Sequence, residues 1–157
     1  MVDQVTDVQV KRVYACDHAL TKTPLVLFHD IKMFVQEVQE SDWYRSVWPT
    51  SQKLTVAMSM DTSMACYWPG QDTIHVPTRE EGLMRKRAGD WAWNKEIVLH
   101  EIAHHVGVTD SLGAHGKQFA GAYLALVTNV ISVERGNELE GLFISNKVRY
   151  DSIRPVL

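Results

Sequence analysis

The sequence predicts a single α+β domain, in which a small mixed or antiparallel sheet packs on one central helix and further helices follow. Three observations lead to this prediction. A helix-compatible apolar run over residues 91–107 carries a histidine-rich motif, a strand-turn-strand pattern precedes it, and apolar residues at helical spacing follow it. A chain of 157 residues suits one domain with its own core, and it contains no internal repeat or low-complexity segment.

The first part of the chain is predicted to contain one strand and one helix. Residues 1–7 are polar and are expected to be disordered. Residues 8–16 partly alternate apolar and polar side chains, which is typical of a strand. Asp17 and His18, at the end of this strand, are expected to be solvated rather than to bind a metal. Apolar residues at helical spacing predict an amphipathic helix over residues 28–40.

The middle of the chain is predicted to supply the rest of the sheet. Residues 53–58 have the pattern of a strand, and residues 64–68 and 73–77 are predicted to form a hairpin, because turn-forming residues separate them. Pro77 indicates that the second hairpin strand ends there or lies on an edge of the sheet. An edge strand beside the central helix could pair with an extended peptide by strand addition.

Residues 100–104 of the central helix have the pattern H-E-x-x-H. Helical residues four apart share one face, so His100 and His104 can offer two imidazole nitrogens to one metal ion. Glu101 is then placed beside the open coordination position, where it can take a proton from water. Asp90 is the expected N-cap of this helix, and Gly107 is a natural end for it.

A catalytic zinc usually takes three protein ligands, and two residues after the motif could supply the third. His115 begins the next predicted helix, and a short connection could fold it back onto the metal. Asp110 completes the spacing H-E-x-x-H-x-x-G-x-x-D, the aspartate form of the metzincin pattern. Metzincins need a downstream methionine turn, and this chain has no methionine after Met84. We therefore favour His115, with Asp110 as the alternative ligand.

Two helices are predicted to complete the domain. The first begins at His115 and keeps its apolar period to about residue 131. Residues 135–137 are expected to break the chain, and a final helix is expected around residues 139–143. His105 points about 100° away from His104 on the central helix, so it is expected to pack or to form hydrogen bonds nearby rather than to bind the metal.

Composition narrows the classes of protein and of partner. Apolar residues make up 45% of the chain and charged residues 22%, as in ordinary globular proteins. The formal net charge of −3 gives no nucleic-acid footprint, and the basic cluster at residues 85–87 is expected to be a solvated loop. No nucleic-acid partner is therefore expected.

The cysteines and the apolar runs predict a cellular location. Cys16 and Cys66 are too few for a disulfide framework and form no C-x-x-C pair, which favours a reduced intracellular protein, although a single Cys16–Cys66 bridge stays open. No apolar run approaches the roughly 20 residues that span a bilayer, and the start lacks a secretory signal. We therefore expect a cytoplasmic protein without a membrane partner.

The H-E-x-x-H helix, the short turn and the sequence His115-Gly116-x-x-Phe119 together resemble the compact zincin metallopeptidases, including SprT-like and WLM-type domains. The fuller pattern also resembles a family of small metallohydrolases found in actinobacteria and their phages. In that family an early strand, here around residues 13–15, precedes an H-E-x-A-H-H helix and an H-G-x-x-F-A helix. The resemblance is strongest over residues 91–127.

This resemblance implies a compact zincin-like domain that binds Zn²⁺ through His100, His104 and His115, with Glu101 as the general base. It also implies a small mixed sheet packed on the active-site helix. Unlike SprT-like proteins, the chain lacks a cysteine-rich zinc ribbon, which argues against a role in DNA-linked protein repair.

Together these observations predict a zinc-dependent hydrolase, in the first place a metallopeptidase that acts on a peptide or protein substrate. Glu101 would take a proton from the attacking water held at the zinc and pass it to the leaving amine. His75 and Tyr123 are candidate donors to the oxyanion. Two alternatives stay open: a regulatory protease specific for one partner protein, and a zinc-stabilised binding module without turnover, in which a fourth protein ligand would close the site.

Overall fold

The computed structural model describes residues 4–59, 64–78, 92–107 and 115–154. Within these ranges the chain is α+β, as predicted, with six α-helices and one three-stranded sheet. The helices are α1 (Gln4–Ala19), α2 (Phe28–Glu40), α3 (Asp42–Val47), α4 (Lys95–Gly107), α5 (Lys117–Leu126) and α6 (Val133–Ser145), and the strands are β1 (Thr55–Ser59), β2 (Cys66–Trp68) and β3 (Thr73–Pro77). None of the described helices has the length and apolarity needed to cross a lipid bilayer.

The sheet is mixed, with strand order β1-β3-β2. The predicted hairpin is confirmed, because β2 runs antiparallel to β3 with Tyr67 opposite Ile74. One turn of 3-10 helix and Asp72, whose φ of 47° lies in the left-handed region, reverse the chain between them. β1 pairs in parallel with the other side of β3. β3 ends at Pro77 as predicted but is the central strand, so β1 and β2 are the edges.

The segment predicted to be the first strand is a helix instead. α1 contains all of residues 8–16, and its backbone is helical from Gln4, inside the stretch expected to be disordered. Its buried residues Val13 and Cys16, and the buried Leu20 just beyond its end, are three and four positions apart, the spacing of one helical face. Valines in this segment favour a strand locally, but packing of this face against α6 overrides that preference. Cys16 and Cys66 are both free thiols, so they form no bridge.

α4 is the central helix, and every residue from 96 to 103 is buried. It begins at Lys95 rather than at residue 91. Its cap is Asn94, whose Oδ1 accepts the N–H of Ile97 at 2.9 Å, whereas Asp90 lies outside the described residues. Two backbone hydrogen bonds of 2.9 Å pair residues 23–25 with residues 93–95 and fix the start of α4. The helix ends at Gly107, as predicted.

The C-terminal helices are interrupted earlier than predicted. α5 is followed by a π-helical turn, Val127–Ile131, and the break falls at Ser132, which has extended backbone and accepts the N–H of Arg135 at 3.1 Å as the cap of α6. The predicted break at residues 135–137 is therefore wrong, because these residues lie in the first two turns of α6. Gly136 lies in these turns because a Cβ there would collide with the side chain of Thr128.

A buried ion pair joins α4 to α6. The fully buried carboxylate of Glu96 pairs with the guanidinium of Arg135 and accepts the backbone N–H and the hydroxyl of Thr23 at 2.6 and 2.7 Å. Arg135 also donates to the carbonyl of Thr21 at 2.7 Å and lies 3.3 Å from a carboxylate oxygen of Glu138. Because both oxygens of Glu96 are bonded, its burial is compensated within the fold.

Arg135→Ala is expected to lower the free energy of unfolding by about 3 kcal/mol or more, because it leaves the Glu96 carboxylate buried without its cation. Urea denaturation followed by circular dichroism measures this loss. Lys117→Ala is the matched control, since it removes an exposed ion pair with Asp151 at 3.7 Å and should cost less than about 1 kcal/mol. Equal losses for the two variants would contradict the assignment.

Candidate metal centre

Three histidine side chains converge where α4 meets the start of α5. His100 and His104 lie one helical turn apart on α4, and His115 stands just before α5. The Nε2 atom of His100 is 3.1 Å from that of His115 and 3.2 Å from that of His104. The ligand atoms of all three lie within 4.8 Å of one another, so the three side chains are close enough to bind one metal ion.

A close approach of α4 and α5 makes this convergence possible. A Cβ at Gly107 would lie only 3.2 Å from the Cα of Phe119, so the absence of a side chain at position 107 lets the helices meet. The ring of Phe119 then packs against all three imidazoles, with ring centroids 4.8 Å from His100, 4.4 Å from His104 and 4.8 Å from His115. Phe119 therefore forms an apolar support for the centre.

Asp17 of α1 lies behind the first histidine of the motif. Its Oδ2 is 2.8 Å from Nδ1 of His100, and the carboxylate is only 5% exposed. A histidine that binds a metal through Nε2 carries its proton on Nδ1, and a carboxylate at Nδ1 stabilises that arrangement. The expectation that Asp17 is solvated was wrong, because the residue lies on the buried face of a helix and not at the end of a strand.

The surroundings of the histidines change their pKa values in opposite directions. Burial lowers the pKa of His100, but the charges of Asp17 and Glu101 outweigh burial and raise it above its usual value. Burial, together with the charge of His100, lowers the pKa of His115 to about 3. His115 is therefore a neutral imidazole near pH 7, the form in which histidine binds metals.

Glu101 is buried beside His100 and is held by the neighbouring edge strand. Its Oε2 accepts the backbone N–H of Tyr67 on β2 at 2.8 Å, and only 6% of the residue is exposed. Burial raises the pKa of Glu101, although the charge of His100 and the N–H of Tyr67 oppose this. Among the described residues the other oxygen, Oε1, has no hydrogen-bond partner. The carboxylate is thus fixed at one of its two oxygens.

Tyr14 of α1 is a further residue of the centre that the sequence did not indicate. Its ring is stacked on that of His100, with centroids 6.1 Å apart, and lies 5.1 Å from that of His115. The residue is 41% exposed, whereas His100 and His115 beside it are buried. Burial, and then the charges of Glu101 and Asp17, raise the pKa of Tyr14 and keep its hydroxyl protonated. Tyr14 was missed because residues 8–16 were predicted to form a strand, whereas they belong to α1.

Of the two residues predicted as oxyanion donors, one lies at the centre and the other packs on the hairpin. Tyr123 is fully buried beneath the centre, with its ring 5.4 Å from that of His100. His75 packs its ring against that of Trp68 on the hairpin, at 4.5 Å. The alternative third ligand, Asp110, lies outside the described residues, as does the basic cluster at residues 85–87.

Comparison of the chain with protein-family models, with curated proteins and with solved structures found no match. The resemblance to zincins therefore stays a prediction from the sequence. The function proposed below is supported by the geometry of the centre itself.

Asp17→Asn is expected to weaken Zn²⁺ binding by about 10- to 100-fold, because an amide at Nδ1 of His100 stabilises the ligand imidazole less well than a carboxylate. Titration against a competing chelator measures the affinity. Asp30→Asn is the matched control, since Asp30 accepts the N–H of Leu27 at the start of α2, away from the histidines. If Asp17→Asn bound zinc as tightly as this control, the outer carboxylate would have no part in metal binding.

Proposed function

We propose that this protein is a zinc-dependent metallopeptidase, with zinc held by His100, His104 and His115. The observation that supports this most directly is the distance of the Nε2 atom of His100 from those of His104 and His115. Nitrogens that bind one tetrahedral zinc at 2.0–2.1 Å are about 3.3 Å apart. The separations of 3.1 and 3.2 Å are close to that value. The set of three histidine ligands also fits a catalytic zinc, because it leaves the fourth coordination position of the metal open.

When bound, zinc would lower the pKa of a coordinated water towards neutrality and polarise a substrate carbonyl. Glu101 accepts the proton of the attacking water at Oε1, while Oε2 stays bonded to the N–H of Tyr67, and then delivers that proton to the leaving amine. Asp17 keeps the proton of His100 on Nδ1 and so leaves Nε2 free as a ligand. Tyr14, which is partly exposed and packs against His100 and His115, joins His75 and Tyr123 as a candidate donor to the developing oxyanion.

The position of β2 favours a peptide as the substrate. β2 is an edge strand of the sheet, and it lies directly beside Glu101, to which Tyr67 is bonded. Edge strands bind extended peptides by adding them to the sheet. Because the Tyr67 N–H already bonds to Glu101, a peptide beside β2 would pair with other backbone groups of the strand, and it would pass next to the proposed general base.

Elemental analysis of the purified protein tests the metal and its ligands. We expect one zinc per chain in the wild type and in Asp110→Ala, and loss of zinc in His115→Ala, because His115 supplies one of the three converging nitrogens. Loss of zinc in Asp110→Ala with retention in His115→Ala would instead assign the third ligand to Asp110. A wild type that takes up no metal after zinc is added would refute the proposal.

Glu101→Gln is expected to abolish peptide hydrolysis while zinc remains bound, because an amide cannot accept the proton of the attacking water. Hydrolysis of a mixed peptide library by the zinc-loaded protein, read by mass spectrometry, measures the activity. Full activity in Glu101→Gln would rule out its role as the general base. A zinc-loaded wild type without hydrolysis would favour the binding module over the peptidase.

A further inference from the structure

The side chain of Tyr67 is fixed by a polar network that involves α4. Its hydroxyl oxygen lies 3.1 Å from Oδ1 of Asp72 and 2.9 Å from Nδ1 of His105 and, having a single proton, donates to one of them at a time. Nε2 of His105 lies 2.8 Å from the carbonyl oxygen of Gln52, and because a carbonyl only accepts, this nitrogen carries a proton. The rings of Tyr67 and His105 also meet edge to face, with centroids 5.3 Å apart. Tyr67, whose side chain this network anchors, is also the residue whose backbone N–H bonds to Glu101.

Tyr67 therefore contacts α4 at two points. Its N–H reaches Glu101 and its hydroxyl reaches His105, and these two residues lie four positions apart, one above the other on the same face of the helix. The sheet alone fixes this strand weakly, because β2 has only three residues and pairs with β3 on one side. The contact with His105 supplies the second fixed point that holds the strand in register with the helix.

We propose that Tyr67 is a positioning residue: its hydroxyl, anchored by His105 and Asp72, holds its backbone N–H against Oε2 of Glu101 and thereby orients Oε1 for proton transfer. This inference rests on the proposed peptidase function. Without the anchor, β2 moves relative to α4, and the carboxylate rotates among orientations of which few are productive. Small displacements of a reacting group reduce turnover strongly, without removing any group that binds substrate or metal.

Tyr67→Phe in the zinc-loaded full chain tests the proposal, because it removes the hydroxyl and keeps both the ring and the backbone N–H. We expect kcat to fall by about 10- to 100-fold, with little change in KM and with one zinc per chain retained. Tyr150→Phe is the matched control. This variant also removes a tyrosine hydroxyl that donates to a carboxylate, in this case that of Glu140 on α6 at 2.7 Å. It should keep the wild-type kcat.

Hydrogen exchange of the residue-67 amide, followed by NMR in the full chain without metal, provides a second measurement that needs no turnover. We expect exchange at this amide to become about 10-fold faster or more in Tyr67→Phe, and to stay unchanged in Tyr150→Phe. Unchanged exchange at residue 67, or faster exchange with an unchanged kcat, would overturn the proposal. A wild type that neither binds zinc nor hydrolyses peptides would contradict the peptidase function instead, and exchange at residue 67 would still show whether the hydroxyl holds the contact with Glu101.

Discussion

The burial of ionisable groups on α4 is the constraint on which the rest of the structure depends. Eight consecutive residues, 96 to 103, are buried, and Glu96, His100 and Glu101 are among them. A buried charge without a partner costs several kcal/mol, so each of these groups needs a partner from outside the helix. Each partner comes from a different element: Arg135 of α6 for Glu96, Asp17 of α1 for His100, and the Tyr67 N–H of β2 for Glu101. Pairing the buried groups of α4 thus fixes α6, α1 and β2 around this helix.

Two carboxylates on α4, those of Glu96 and Glu101, have different surroundings and therefore different numbers of bonded oxygens. Both oxygens of Glu96 are bonded, to Thr23 and Arg135, so this carboxylate stabilises the fold and has no oxygen available as a base. Glu101 is bonded at Oε2, and burial raises its pKa. The same residue type, five positions away on the same helix, is therefore bonded at only one of its oxygens among the described residues.

Local patterns in the sequence predicted a feature correctly where that feature depends on a single element or turn. The spacing of apolar residues predicted α2, turn residues predicted the hairpin, and the H-E-x-x-H pattern predicted which histidines face one point. α1 was missed because its valines suggest a strand locally, and only its packing against α6 selects the helix. Asp17 and the N–H of Tyr67 could not be predicted as partners of α4, because no local pattern links groups that are so distant along the chain and meet only in the folded protein.

The contacts that hold α1 in place come from the other end of the described chain. The side chain of Gln9 bonds to the backbone of Arg149 at 2.9 and 3.3 Å, and Arg12 donates to the carbonyl of Lys147 at 3.2 Å. During synthesis α1 leaves the ribosome long before residues 147–149 do. Until those residues emerge, α1 lacks these contacts and Asp17 is not held beside His100. Placement of Asp17 behind His100 therefore waits for residues 147–149, and a chain truncated before residue 147 would contain all three histidines without a fixed carboxylate beside His100.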